Sequence, residues 1–355
     1  MFYYYYMYMY MFNILMNYTL LIFIMMMFFS VIMGLNSNSM LFFWISIEIN
    51  SMSFLPLMLF LNKNFNDSFI KYFLIQSASS SMLLFFSLLS MMFMSPEIMV
   101  YLFMILAILM KMGMFPFHYW YLNVLVNLSW LNYLILSIIQ KILPFYFLNN
   151  VILMMSASKC FKNMKFFLYF IIIMSSIISI SLINSTTSIK MLFALSSLNH
   201  MTWMLLSMLT SMKIWVFYFS IYAFILISLI YSLMKLKIEF INELYILSNF
   251  NYIFKMIMTL FLIGLMSFPP LIGFFMKMFN MYMLTKYNMF CMVYILLLMS
   301  MIMFFYYLKL LLPCMMFFNM NMKNNFYMKI NLIKFYYFLI MNLMIFMFIY
   351  WLLNL

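Results

Sequence analysis

Apolar stretches long enough to cross a bilayer as helices, which takes about 20 residues, alternate along this chain with short polar breaks. The breaks read "LNSNS", "NKNFND", "SPE", "SKCFKNMK", "NSTTSIK", "KLKIEFINEL" and the longer "NMNMKNNFYMKINLIK". Between them the pattern predicts helices over 10–33, 38–60, 69–94, 97–120, 124–148, 166–184, 188–211, 213–236, 252–276, 282–312 and 335–354. The expected fold is therefore all-α, a polytopic transmembrane bundle of about eleven helices. It is read as one integral membrane domain over residues 1–355, with no soluble domain and no short-period repeat.

Composition agrees, since 70% hydrophobic residues, 6% charged residues and a mean hydropathy of +1.14 exceed what a soluble core needs. The net charge of +13 forms no basic stripe beside polar surface, so nucleic acid is not an expected partner. The lysines fall in loops and inside spans. Lys63, Lys71, Lys190, Lys235, Lys237 and the lysines from Lys323 to Lys334 share one side of the predicted topology, with the 159–165 cluster as the exception. The positive-inside rule puts that side, and the amino terminus with it, on the inner face of the membrane.

The abundant residues are Met, Phe, Ile, Leu, Tyr, Asn and Lys, against 4 Gly and no Arg. Those residues largely use A/T-only codons in the mitochondrial code, so the chain reads as mitochondrially encoded. The opening "MFYYYYMYMYMF" carries neither the basic start of a signal peptide nor the arginines of a transit peptide.

Cys160, Cys291 and Cys314 lie far apart and form no C-x-x-C pair, which supports neither an iron–sulfur cluster nor a zinc site. No glycine-rich nucleotide loop is present. The chain is expected to bind no cofactor, no metal and no soluble small-molecule substrate.

The informative residues break the hydrophobic rule. Glu48 sits mid-span in "FFWISIEINSMSFLPL", Lys111 in "LMKMGMFPFHYW", Lys141 in "LSIIQKILP", and Lys277 follows "FPPLIGFFM". A charge at a helix centre costs about 2.5–3.5 kcal/mol on insertion scales, so each should face the bundle interior or water and have a partner. Gly113 and Pro116 follow Lys111, Pro144 follows Lys141, and Pro269, Pro270 and Gly273 precede Lys277. Transporters place broken helices of this kind around their sites, where the interruption admits water. The competing reading at each position is a proline kink that tunes packing, with the lysine snorkelling to the interface. A buried lysine passes a proton on only if burial loosens its hold and an approaching carboxylate restores it. Glu48 is the carboxylate placed deepest for that work, and the energy must come from outside this chain.

His118 and His200 are the two histidines, the side chains whose charge changes nearest physiological pH. His200 shares a helical face with Ser196 and Ser197, a polar stripe suited to a relay. His118, in "PFHYW", reads as a span end near the interface.

These motifs together resemble the antiporter-like membrane subunits of respiratory NADH:ubiquinone oxidoreductase (complex I), the subunit 2 family in particular. The resemblance is carried by "FFWISIEINSMSFLPL", "NDSFIKYFLIQSASSSMLL", "LMKMGMFPFHYW", "LSWLNYLILSIIQKILP", "INSTTSIKMLFALSSLNHMTW" and "FPPLIGFFMK", in the family's order and spacing. It implies eleven transmembrane helices with interruptions near Lys111 and Lys277, and proton-channel roles for Glu48, Lys111, Lys141 and Lys277. It also implies a Glu48–Lys111 pairing and a central place for Lys141, with Lys277 toward the outlet. Departures from the family are Asp67 for Glu, Leu122 and Asn123 for Pro-Glu, Ile189 for a basic residue, Thr202 for Gly and Met276 for Pro.

The expected function is proton translocation in a multi-pass subunit of the mitochondrial inner membrane, driven by quinone reduction elsewhere. NADH, FMN, iron–sulfur clusters and ubiquinone would sit in other subunits. The expected partners are the other membrane subunits of complex I and phospholipids. The competing readings are a self-contained cation/proton antiporter, for which one deep carboxylate is too few, and a structural scaffold, which leaves four buried charges without a purpose.

Overall fold

The computed structural model describes residues 2–37, 39–61, 67–92, 98–156, 161–244, 252–268 and 271–316. All regular elements among them are helical: α1 Phe2–Leu35, α2 Met40–Leu61, α3 Asp67–Met92, α4 Ile98–Met112, α5 His118–Asn127, α6 Trp130–Leu134, α7 Gln140–Ser156, α8 Phe161–Ser181, α9 Ile189–Thr210, α10 Met212–Leu236, α11 Tyr252–Met266, α12 Ile272–Lys286 and α13 Phe290–Met316. The predicted helix 335–354, Cys160, Pro269 and Pro270 lie outside the described residues.

Eight of the described helices or helix runs are long and apolar enough to cross a membrane. Two predicted crossings are made of halves, at the interruptions the resemblance implied near Lys111 and Lys277. The span expected at 97–120 stops at Met112, and α5 takes up the chain at His118. The span expected at 252–276 is broken between Met266 and Ile272 and runs on to Lys286. At about 1.5 Å per residue, 15 residues cover about 22 Å, short of an apolar core of about 30 Å.

Both breaks end in the same hydrogen-bonded form. After α4, Gly113 adopts φ 71°, Met114 N–H donates to the Leu109 carbonyl (3.1 Å) and Gly113 N–H to that of Met110 (3.3 Å). After α11, Ser267 adopts φ 60°, Phe268 N–H donates to Ile263 (3.5 Å) and Ser267 N–H to Gly264 (3.1 Å). These are Schellman endings, in which a left-handed residue lets the chain satisfy the last carbonyls and turn away. Sequence reading located the prolines at each break, while the left-handed residue is what ends the helix.

The chain divides into two compact units, residues Met1–Met164 and Lys165–Leu355. In the first, α2 packs on α1 and α3, α4 on α3 and α7, and α5 on α3. Gly34 of α1 lies so close to Leu143 and Ser46 that a side chain there would meet both. In the second unit α9, nearly wholly buried, packs on α10, α12 and α13, and α11 packs on α10, α12 and α13. There Gly273 of α12 lies directly against the Gly264 carbonyl of α11.

The run from Trp130 to Ser156 is continuous but changes form, with a π-helical turn over Ile135–Ile139 between α6 and α7. Such turns concentrate at functional positions. This one ends immediately before Gln140 and Lys141.

Candidate functional site

In the first unit the two mid-span lysines come together. A narrow cavity of about 10 Å³ is lined by Lys111 and Lys141 and by the polar side chains of Asn50, Tyr72, Gln76, Tyr121 and Gln140. That volume takes about one water, and the site has the several polar groups a water needs.

Lys111 reaches the cavity from the last turn of α4, where the helix dipole favours a cation. Its backbone carbonyl accepts from Gln76 Nε2 at 3.4 Å. Its ammonium nitrogen is buried and makes no hydrogen bond among the described residues. The Glu48–Lys111 ion pair expected from the resemblance is not closed: among the described residues the one salt bridge is Lys190–Glu239. Glu48 is half-buried on α2, and its Oε2 accepts no hydrogen bond among the described residues. It also lines an apolar groove of about 450 Å³ beside Ile22, Phe23, Met26 and Trp44.

Lys141 enters from the first turn of α7 and donates from Nζ to Tyr121 Oη at 2.5 Å. Pro144, three residues on, has no N–H to give the Gln140 carbonyl, its ordinary helical partner. The Gln140 side chain spans the cavity. Its Nε2 donates to the Asn50 carbonyl and to Asn50 Oδ1, each at 3.2 Å, and Tyr72 Oη donates to its Oε1 at 3.5 Å.

Tyr121 arrives because α5 folds against the end of α4. Trp120 Nε1 donates to the Met110 carbonyl at 3.0 Å, and a Cβ on Gly113 would collide with the Tyr121 side chain. His118 opens α5 at the break, half-buried, and does not line the cavity.

The second unit holds the other two predicted residues. His200 of α9 is buried, and its Nδ1 lies 2.9 Å from Tyr218 Oη of α10, with the Tyr222 ring centroid 5.0 Å away. Ser196 and Ser197 share its helix, but their hydroxyls donate to the carbonyls of Phe193 and Ala194. Lys277 of α12 is buried six positions into the second half-helix, its Nζ 5.9 Å from the Trp203 ring. Asn280, one turn further, donates to the Trp203 carbonyl at 3.3 Å. Trp203 lies one turn beyond His200 on α9, so Lys277 and His200 address neighbouring turns of one helix.

Lys190, counted above among loop lysines, is instead buried in the first turn of α9 and pairs with Glu239 at 2.8 Å. Among the described residues no three His, Cys, Asp or Glu side chains gather in one place.

Charged reading of hydropathy missed the uncharged half of the site: Asn50, Gln76, Gln140, Tyr121, Tyr218 and Asn280. The amides carried a signal, since a buried amide in an apolar span needs a partner as a charge does. The tyrosines carried none in a chain with 28 of them.

Interrupted apolar helices with lysines buried at the breaks define a polytopic membrane protein of the ion-translocating type. The family model described as NADH:quinone oxidoreductase/Mrp antiporter, TM, matches residues 37–303. NADH-ubiquinone oxidoreductase chain 2 of Anopheles gambiae is 36% identical over 274 residues, covering 75% of this chain and 77% of that one. The chain 2 protein of Rhipicephalus sanguineus is 34% identical over 315 residues, 86% of this chain and 94% of that one. The chain belongs to the NADH-ubiquinone oxidoreductase chain 2 family. A chain of respiratory complex I from Thermus thermophilus with bound aureothin shares the fold, with a TM-score of 0.73 at 18% identity over 83% of this chain and 70% of that chain.

Proposed function

We propose that this chain is a proton-translocating membrane-arm subunit of respiratory NADH:ubiquinone oxidoreductase, multi-pass in the mitochondrial inner membrane. It contributes to the NADH:ubiquinone reductase reaction by moving protons while electrons travel through other subunits. NADH, FMN, the iron–sulfur clusters and ubiquinone belong to those subunits, and this chain is built without them. Its partners are the other membrane subunits of the complex, and phospholipids cover the rest of its apolar flanks. Its codon-biased composition fits mitochondrial encoding.

The observation that carries the proton-path reading is the meeting of Lys111 and Lys141, from different helices, at one water-sized polar cavity. Two ammonium groups borne by residues on one small cavity in an apolar bundle repel each other, so a proton on one disfavours a proton on the other. Such a pair exchanges a proton readily and stores two poorly. Glu48, near Lys111 but not bonded to it, biases that exchange: its approach holds the proton on Lys111, and its withdrawal releases it toward Lys141. Lys277 and His200 serve the same task within the second unit, and His118 serves the mouth of the broken α4–α5 run. The drive comes from quinone reduction, transmitted by movement of the partners.

The test is proton pumping per NADH oxidised in coupled membranes carrying Lys141→Met, a swap that keeps the side chain's bulk. Loss of pumping in a complex that still assembles is the expected result. Unchanged pumping per NADH makes Lys141 architectural and overturns the reading.

A further inference from the structure

We propose that the Tyr121 hydroxyl is a relay residue, passing the proton between the Lys141 ammonium and the cavity it shares with Lys111. The inference rests on the reading of Lys141 as a proton carrier and adds the atom through which that carrier works.

Four observations converge on this hydroxyl. It accepts a hydrogen bond from Lys141 Nζ at 2.5 Å, so the two groups are in direct contact. The ring is fully buried, so the contact is sheltered from competing solvent. Tyr121 also lines the cavity that Lys111, Gln76 and Gln140 line. Finally, the backbone is shaped around it. The left-handed turn at Gly113 and the missing Cβ there leave the space the tyrosine fills, and Trp120, held on the Met110 carbonyl, fixes the start of α5. A kink that only tuned packing would need no hydroxyl at the end of that arrangement.

The chemistry separates Tyr121 from its neighbours. A phenol both accepts and donates, so it can take a proton on oxygen as it gives one up, whereas an amide such as Gln76 or Gln140 resists this exchange. Tyr72, the other phenol on the cavity, donates to Gln140 at 3.5 Å. In the relay, an N–H bond of Lys141 breaks as an O–H bond forms at Tyr121. The proton the hydroxyl carried leaves for a water in the cavity, on the side of Lys111. Tyrosine ends neutral as it began, Lys141 is left uncharged, and one proton has moved without net gain or loss.

The experiment compares Tyr121→Phe with Lys141→Met in the assembled complex, reading kcat of coupled NADH oxidation, KM for ubiquinone and the pH profile. Loss of one hydrogen bond to a charged group predicts a fall in kcat of about tenfold for Tyr121→Phe. Ubiquinone KM stays unchanged and the pH profile is displaced. Tyr121→His, which keeps an atom able to accept and donate, should recover several-fold over Phe. A native rate and pH profile in Tyr121→Phe, beside a Lys141→Met complex that no longer pumps, overturns the relay and leaves Lys141 in place. Equal loss in Phe and His also overturns it, because the tyrosine then acts by shape alone. If both Tyr121→Phe and Lys141→Met pump normally, the Lys141 reading fails and the relay falls with it.

Discussion

Gly113 and Tyr121 lie so close that no Cβ fits between them. The contact makes the break after α4 a fitted joint: the glycine takes φ 71°, and the tyrosine of the next helix occupies the space beside it.

Gly113→Ala should therefore be poorly tolerated for two reasons that add. A left-handed conformation costs an L-residue about 1–2 kcal/mol, and the new methyl meets Tyr121 Cβ and, at 2.9 Å, its Cγ. The expected result is a complex of lowered thermal stability whose coupled turnover falls with it. Thermal inactivation of purified complex measures the first, and NADH-driven pumping the second.

Glu48 and Lys111, which the resemblance pairs, form no ion pair in the structure. A double-mutant cycle with Glu48→Gln and Lys111→Met should show coupling, the double variant pumping about as well as the worse single variant. Interaction energies of about 0.5–3 kcal/mol are usual for coupled neighbours. Additive losses in coupled turnover would show that the two act separately.

Much of this pairing was legible beforehand as a list of members. The depth of Glu48, Lys111 and Lys141 follows from charge in apolar runs. Their arrangement does not, because the rotation of α2 against α4 decides whether a carboxylate meets an ammonium or faces a groove.

Tyr218 Oη on α10 lies within hydrogen-bonding distance of His200 Nδ1. Ser196 and Ser197 turn back to their own helix, the usual outlet for a hydroxyl in an apolar span. Tyr218→Phe should lower coupled turnover by about tenfold, the loss of one hydrogen bond to a buried imidazole, while Ser197→Ala changes it little. Steady-state NADH oxidation in coupled membranes separates the two.

Lys190 is buried at the start of α9, and Glu239, 54% exposed, reaches it from a segment that also pairs its backbone with residues 187–189. Glu243 Oε2 accepts from the Glu239 and Phe240 amides and holds that segment in shape. Glu239→Gln removes the counter-charge and should cost about 1 kcal/mol, a modest value because water reaches the glutamate. Lys190→Met, which removes the buried charge itself, should cost less. Melting of the assembled complex ranks the two variants, and the reverse order would show that the glutamate contributes nothing to burying the lysine.

Hydropathy, a local property, determined that this is an all-helical membrane bundle, roughly where most of its spans lie, and that Glu48, Lys111 and Lys141 fall within them. Each apolar run carries its own free energy of leaving water, so no partner is needed to read it. The span 252–276 shows the limit, because hydropathy ran through the break at Ser267 and left Lys277 at an end, whereas it lies inside the second half-helix. Tertiary structure alone decided which polar groups meet: Lys111 with Lys141, Lys141 with Tyr121, His200 with Tyr218. Those meetings depend on how helices rotate and where a left-handed residue lets the chain turn, and the direction of a side chain in three dimensions is not carried by its place in an apolar run.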